Sequence, residues 1–235
     1  MKNLIVYGDS FNAPRMGLHW SELLSKKHNL NLISLASSGS SSRYVAFQML
    51  HALEYPTNSI IIGSHSYNPY RIEYAVGEND IFKQDISINS FVNFNYGSPE
   101  AFIKSETVLG ILSYNHINSQ FKDVILTKMP VGLNAHFDKW AIFYGLSMLK
   151  DNNATFFYIP NLSKEHNLFD DNYLISKFGR EHIITKDELD FEKYTKQKTT
   201  HPSFEDIGFH TEIEDQKVIA SIIENRLIKQ GLLSA

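Results

Sequence analysis

Apolar residues along this chain fall into short unbroken runs separated by stretches with a helical period. The runs span 3–7, 30–35, 59–62 and 155–159, with a weaker one at 182–185. Each is continuous rather than alternating, the pattern of a strand buried on both faces. Between them, 17–27, 42–54, 108–127 and 134–150 place apolar residues at helical spacing. A last helix is predicted over 214–230, where Val218, Ile219, Ile222, Ile223, Leu227 and Ile228 share one broad face. Strands alternating with helices predict an α/β protein: a parallel sheet covered on both sides, with right-handed crossovers.

One stretch breaks this rhythm. From about 67 to 104 the chain is long, polar and aromatic, carrying Tyr67, Tyr70, Tyr74, Phe82, Phe91, Phe94, Tyr96 and Phe102. Connections of this length are usually functional or disordered. It reads either as a surface excursion packed by its own aromatics or as the lid or wall of a cleft. With 235 residues, the chain is expected to form a single domain, 1–235, carrying this insertion.

Composition narrows the function classes. A net charge of −4, with no basic block, argues against a nucleic-acid or anionic-membrane surface. No cysteine is present, so neither disulfides nor thiolate metal sites can form. The chain starts directly on a strand pattern, and no apolar run approaches the roughly 20 residues that span a bilayer. A cytoplasmic protein is expected, and a virion-associated one would look the same.

Four stretches could carry chemistry. Leu4-Ile5-Val6-Tyr7-Gly8-Asp9-Ser10 ends a strand in a tight turn, where Ser10 is either a nucleophile or, with Asp9, a helix cap. Ser37-Ser38-Gly39-Ser40-Ser41-Ser42 follows the second strand. It offers the Gly39 N–H to a developing oxyanion, cradles a phosphate from Ser38 to Ser42, or is a solvated loop with Ser42 as N-cap. Gly63-Ser64-His65-Ser66 ends the third strand, and His65 there is a possible hydrogen-bond donor; Arg71 and Tyr67 follow as candidate substrate contacts. Asp206-Ile207-Gly208-Phe209-His210 precedes the last helix, whose start is marked by the capping-box pair Thr211 and Glu214. A histidine there can take a serine's proton while a carboxylate holds its tautomer. A metal site built from His201, Asp206 and His210 is conceivable, but no ligand spacing favours one.

In this order, the four stretches resemble the SGNH/GDSL hydrolases, over the whole chain except the aromatic insertion. The resemblance implies a flavodoxin-like three-layer α/β/α sandwich with a parallel sheet of about five strands. It implies a serine esterase working through an acyl-enzyme, with no cofactor or metal. Ser10 matches the nucleophile, His210 the base and Asp206 the carboxylate that orients it. The N–H groups of Ser10 and Gly39, with His65, would line the oxyanion hole. Asp9, Arg71 and Tyr67 would meet a small-molecule or carbohydrate ester, plausibly an O-acetylated sugar. The run from His210 through Glu214 and Gln216 to Ala220 is similar to the family's final block.

The chain departs from the pattern three times. His65 stands where the family has asparagine, Ile207 stands where it has aspartate, and His201-Pro202-Ser203 makes His201 a rival base. The main alternative is a domain of this type that has lost catalysis and binds a glycan or a protein. A phosphate- or nucleotide-binding α/β protein is a third reading.

Overall fold

The computed structural model describes residues 1–9, 11–13, 18–36, 40–65, 71–76, 108–113, 131–160, 169–195 and 213–234. At its centre, β1 (Asn3–Gly8) pairs in parallel with β2 (Asn31–Ser34) on one side and β3 (Ile60–Ser64) on the other. Beyond β3 lies another parallel strand, Thr155–Ile159, giving a four-stranded sheet. A fifth position is occupied by one parallel bridge, Tyr158 to Ile183. There the Tyr158 N–H donates to the His182 carbonyl at 2.9 Å and the Ile184 N–H to the Tyr158 carbonyl at 3.0 Å. The strand expected at 182–185 is thus cut short, because the chain turns at Thr185, whose carbonyl accepts the N–H groups of Glu188 and Leu189.

Side-chain parity divides the core. Ile5 and Tyr7, Ile61, and Phe156 and Tyr158 point to one face, against α2 (Ser42–Ala52), α3 (Val131–Asp151) and α4 (Asp171–Phe178). Leu4, Val6, Ile60, Ile62, Phe157 and Ile159 point to the other, against α1 (Trp20–His28), α5 (Phe191–Thr195) and α6 (Ile213–Lys229). Because both faces are covered, the middle positions of β1, β3 and the Thr155–Ile159 strand are apolar on both sides, and each fully buried aliphatic or Phe side chain contributes about 1.5–3 kcal/mol. This is the three-layer sandwich.

The expected helix at 108–127 is corrected. Its first part is β5 (Val108–Ser113), paired antiparallel with β4 (Arg71–Val76) in a separate two-stranded sheet. Val108, Ile111 and the mid-run Gly110 are poor helix formers, and pairing with β4 satisfies their backbone instead. The remainder of that range lies outside the described residues, as do 67–70 and 77–104 of the aromatic stretch. With β4 and β5 counted in chain order, Thr155–Ile159 is β6. Neither α4 nor α5 was expected; α4 starts at an Asp170 cap whose Oδ1 accepts the N–H groups of Asn172 and Tyr173.

Gly63 permits a close crossing in the sheet. It sits opposite Tyr7, and a side chain there would meet the Tyr7 ring, with Cδ2 at 2.5 Å and Cε2 at 2.6 Å. Without one, the Tyr7 ring lies over β3 and its hydroxyl donates to the Phe157 carbonyl of β6 at 3.1 Å. Burial, then neighbouring Tyr158, pushes the Tyr7 phenol well above its ordinary pKa.

Candidate active site

β1, β2 and β3 create a topological switch point: β2 lies to one side of β1 and β3 to the other. Such crevices, at the carboxyl ends of the strands, are where open α/β sheets bind ligands. Gly8 and Ser64 face each other there in register.

Gly8 adopts φ +127, a conformation that favours glycine, and its N–H donates to Gln48 Oε1 of α2 at 2.6 Å. A turn follows, in which the Asp9 carbonyl accepts the N–H groups of Asn12 and Ala13 at 3.0 and 3.1 Å. Asp9 Oδ1 accepts the Phe11 N–H at 3.1 Å. Asp9 is fully buried, and its carboxylate holds this turn. Its charge also reaches Tyr158, whose phenol is pushed up first by burial and then by Asp9 and Asp171.

The helix-cap reading of Gly8-Asp9-Ser10 fails on α1. That helix begins at Trp20 and is capped by His19, with Glu22 closing the box through the His19 N–H at 3.0 Å. His19 Nε2 lies 2.9 Å from the Phe11 carbonyl, which can only accept, so Nε2 carries the proton and Nδ1 accepts from Ser21 Oγ at 2.8 Å. The turn after β1 is thereby anchored to the start of α1.

Asn12, also fully buried, donates from Nδ2 to the carbonyl and the hydroxyl of Ser64, at 3.1 and 2.6 Å. Beyond Ser64, His65 Nε2 meets Ser42 Oγ at 2.8 Å. The N-cap of α2 is Ser41, whose Oγ accepts the Tyr44 N–H at 3.2 Å; the cap expected at Ser42 is corrected by one residue. Ser42 is left to hold the histidine. Gln48 spans both loops, since its Nε2 donates to Ser40 Oγ at 3.2 Å while its Oε1 accepts from Gly8. Behind Ser42, Arg43 Nε lies 3.6 Å from the buried Asp138 carboxylate of α3.

The start of α6 joins the same end of the molecule. Gln216, in the first turn of α6, accepts the Trp20 N–H at 2.7 Å, so the helix that follows the 206–210 stretch begins beside the helix that follows the β1 turn.

Asp9 and His65 thus follow β1 and β3 directly, at the same carboxyl edge of the sheet. Arg71 is the first residue of β4, opposite Ser113. Ser10, Gly39, Tyr67, His201, Asp206 and His210 lie outside the described residues. Gln48, Asn12 and Asp138 were not anticipated as parts of the site, nor was Ser42 as the partner of His65. Gln48 carried a readable signal, because it follows Val45 and precedes Ala52 at helical spacing on the core-facing side of α2. Among the described residues no cluster of three or more His, Asp or Glu could hold a metal ion, and no helix is long and apolar enough to cross a membrane.

No family model and no curated protein matches the chain. A solved structure does: the psychrotrophic esterase EstA from Pseudoalteromonas sp., inhibited by monoethylphosphonate, at 12% identity, a TM-score of 0.51 and 98% coverage of each chain. The chain has the fold of EstA. The three-layer α/β/α architecture expected from the sequence is thus the one observed. A protein assigned to the lipolytic G-D-S-L family from Desulfitobacterium hafniense aligns at 10% identity and a TM-score of 0.49, over 97% of this chain and 100% of that one. TesA aligns at 12% and 0.48, over 99% and 100%. The likeness in fold rests on EstA and not on these two.

Proposed function

We propose that the chain is a serine ester hydrolase of the SGNH type, one domain with an aromatic insertion, acting on esters such as O-acetylated carbohydrates. The observation that carries this reading is the convergence of segment ends at one crevice. The β1 turn, the end of β3 and the start of α2 meet at the switch point, and Gln216 draws the start of α6 to the start of α1.

In this reading Ser10 attacks the ester carbonyl as His210 takes its proton. The carbonyl oxygen becomes an oxyanion, held by the N–H groups of Ser10 and Gly39 with help from His65. The tetrahedral intermediate collapses, the alcohol leaves with the proton from His210, and water repeats the sequence on the acyl-enzyme. Asp206 orients the base, with His201 the rival for its place. Arg71 and Tyr67 contact the substrate. Gln48 has a positioning part, since it ties the Gly8 turn to Ser40, two residues that flank the proposed donors. One oxyanion donor is worth about 2.7–4 kcal/mol of barrier.

Ser10→Ala tests this. The unaltered protein should hydrolyse p-nitrophenyl acetate and take up a fluorophosphonate label, and the variant should do neither. An unaltered protein that is inert in both assays sinks the hydrolase. A second reading, a domain of this type that binds without catalysis, is favoured by His65 standing in the asparagine position with its Nε2 committed to Ser42. That outcome would be the one left standing by inertness in both assays.

A further inference from the structure

Large aromatic side chains seldom stand in water without a reason when several are grouped. On the outer side of α3, Trp140 and Tyr144 are 66% and 42% exposed and stacked, with centroids 5.6 Å apart and planes 12° from parallel. Across from them, Tyr173 of α4 is 44% exposed and lies parallel to Phe169, at 6.0 Å and 1°. Between the two platforms is a groove of about 640 Å³, lined also by His136, Lys139 and Asp170. That volume is in the range of small-ligand sites.

The chemistry of the groove is mixed in a particular way. Its flat apolar surfaces are ring faces, and its polar groups include both donors and acceptors. Lys139 Nζ sits 5.3 Å from the Phe169 ring centre, and Asp170 fixes Tyr173 by accepting its N–H. One cation and one carboxylate leave the lining without net charge. A sugar ring matches both properties: one face of C–H groups packs on an aromatic ring, and hydroxyls around the rim donate and accept. A phosphate-bearing ligand does not match, since Asp170 offsets Lys139 and the whole chain carries −4. A relay of side-chain contacts runs from beside the groove to the crevice at the sheet edge. Asp138, beside Lys139 in sequence, lies against Arg43, whose neighbour Ser42 meets His65.

We propose that the α3–α4 groove binds a neutral glycan by stacking sugar rings on Trp140 and Tyr173, and that this glycan carries the ester cleaved at the sheet edge. The link to cleavage rests on the hydrolase reading; binding itself does not.

The full chain is titrated with cellohexaose, xylohexaose, mannohexaose and chitohexaose, followed by tryptophan fluorescence and by calorimetry. Trp20 is fully buried, so a fluorescence change reports Trp140, the other of the two tryptophans. At least one sugar should saturate with a Kd of about 1 mM or tighter, and Trp140→Ala and Tyr173→Ala should each weaken it at least about tenfold by calorimetry. Both side chains are exposed, so the variants should keep the wild-type thermal midpoint. Saturation by none of the four, or an affinity unchanged in both variants, overturns the proposal; so does tighter binding of AMP, included as a stacking ligand with a phosphate. Glycan binding in a protein inert to esters and to fluorophosphonate keeps the groove and removes the link to cleavage. Ester turnover without glycan binding keeps the hydrolase and overturns the groove.

Discussion

Gly8 is the position where a single methyl group should do the most damage. Its φ of +127 is one that L side chains rarely adopt, and holding one there costs about 1–3 kcal/mol. The added Cβ would also collide with the Ser64 carbonyl oxygen and come within 2.5 Å of Asn12 Nδ2, a side chain committed to Ser64. Overpacking of this kind adds roughly 1–3 kcal/mol. Any shift that relieves the overlap strains the 2.6 Å bond from the Gly8 N–H to Gln48, at a further ~1 kcal/mol. Together these come to roughly 3–7 kcal/mol, a large share of the ~5–15 kcal/mol that separates most folded proteins from their unfolded states. Urea denaturation of Gly8→Ala should lower the midpoint without changing the slope, and the thermal midpoint should fall by roughly 6–28 °C. Gly231→Ala is the control. Gly231 has φ +70 but nothing within 4 Å of an added Cβ, so only backbone strain of about 1 kcal/mol applies. Equal losses in the two variants would refute the steric argument, and a Gly8→Ala protein as stable as wild type would refute all of it.

Two further predictions use the hydrogen bonds around the site. Ser42→Ala removes the partner of His65 Nε2; stability should fall by about 1–3 kcal/mol, and kcat on a small ester by about tenfold with KM unchanged. A fall in stability with no change in kcat would make Ser42 a purely structural hydroxyl. Acid should weaken the fold through Glu188. Burial acts to raise its pKa, but hydrogen bonds from Arg180 and the Thr185 N–H, with the charges of Arg226 and Arg180, outweigh it and hold the carboxyl below its ordinary value. A depressed carboxylate stabilises above its unfolded pKa of about 4.3 and stops doing so as pH falls through its folded value. The advantage of wild type over Glu188→Gln in urea should therefore be constant near neutrality and shrink below about pH 4. An advantage independent of pH would contradict the linkage.

The layers of this fold were legible because burial on both faces leaves an unmistakable trace. Runs such as Ile60-Ile61-Ile62 admit no solvent face, and β1, β3 and β6 appear where the runs do. Ends and caps were less readable. His19 caps α1 through an imidazole, which no list of favoured caps leads one to expect. At α2, three consecutive serines give equal local signals, and only the position of His65 decides that Ser41 caps while Ser42 turns inward. β5 was misread because its partner β4 lies more than thirty positions earlier, and a local window holds no information about that pairing. Of the site, the turn at Gly8 and the strand end at His65 were visible as motifs. The groups that join them were not, because Asn12 and Gln48 act through contacts 52 and 40 residues away.

The crossing of Tyr7 over Gly63 has an evolutionary corollary. A Cβ at position 63 would lie 2.3 Å from the Tyr7 carbonyl oxygen as well as against the ring, so shrinking the ring alone makes no room for it. Position 63 should therefore stay glycine across homologues whatever stands at position 7, while position 7 is free to trade its ring and its bond to the Phe157 carbonyl for a smaller side chain.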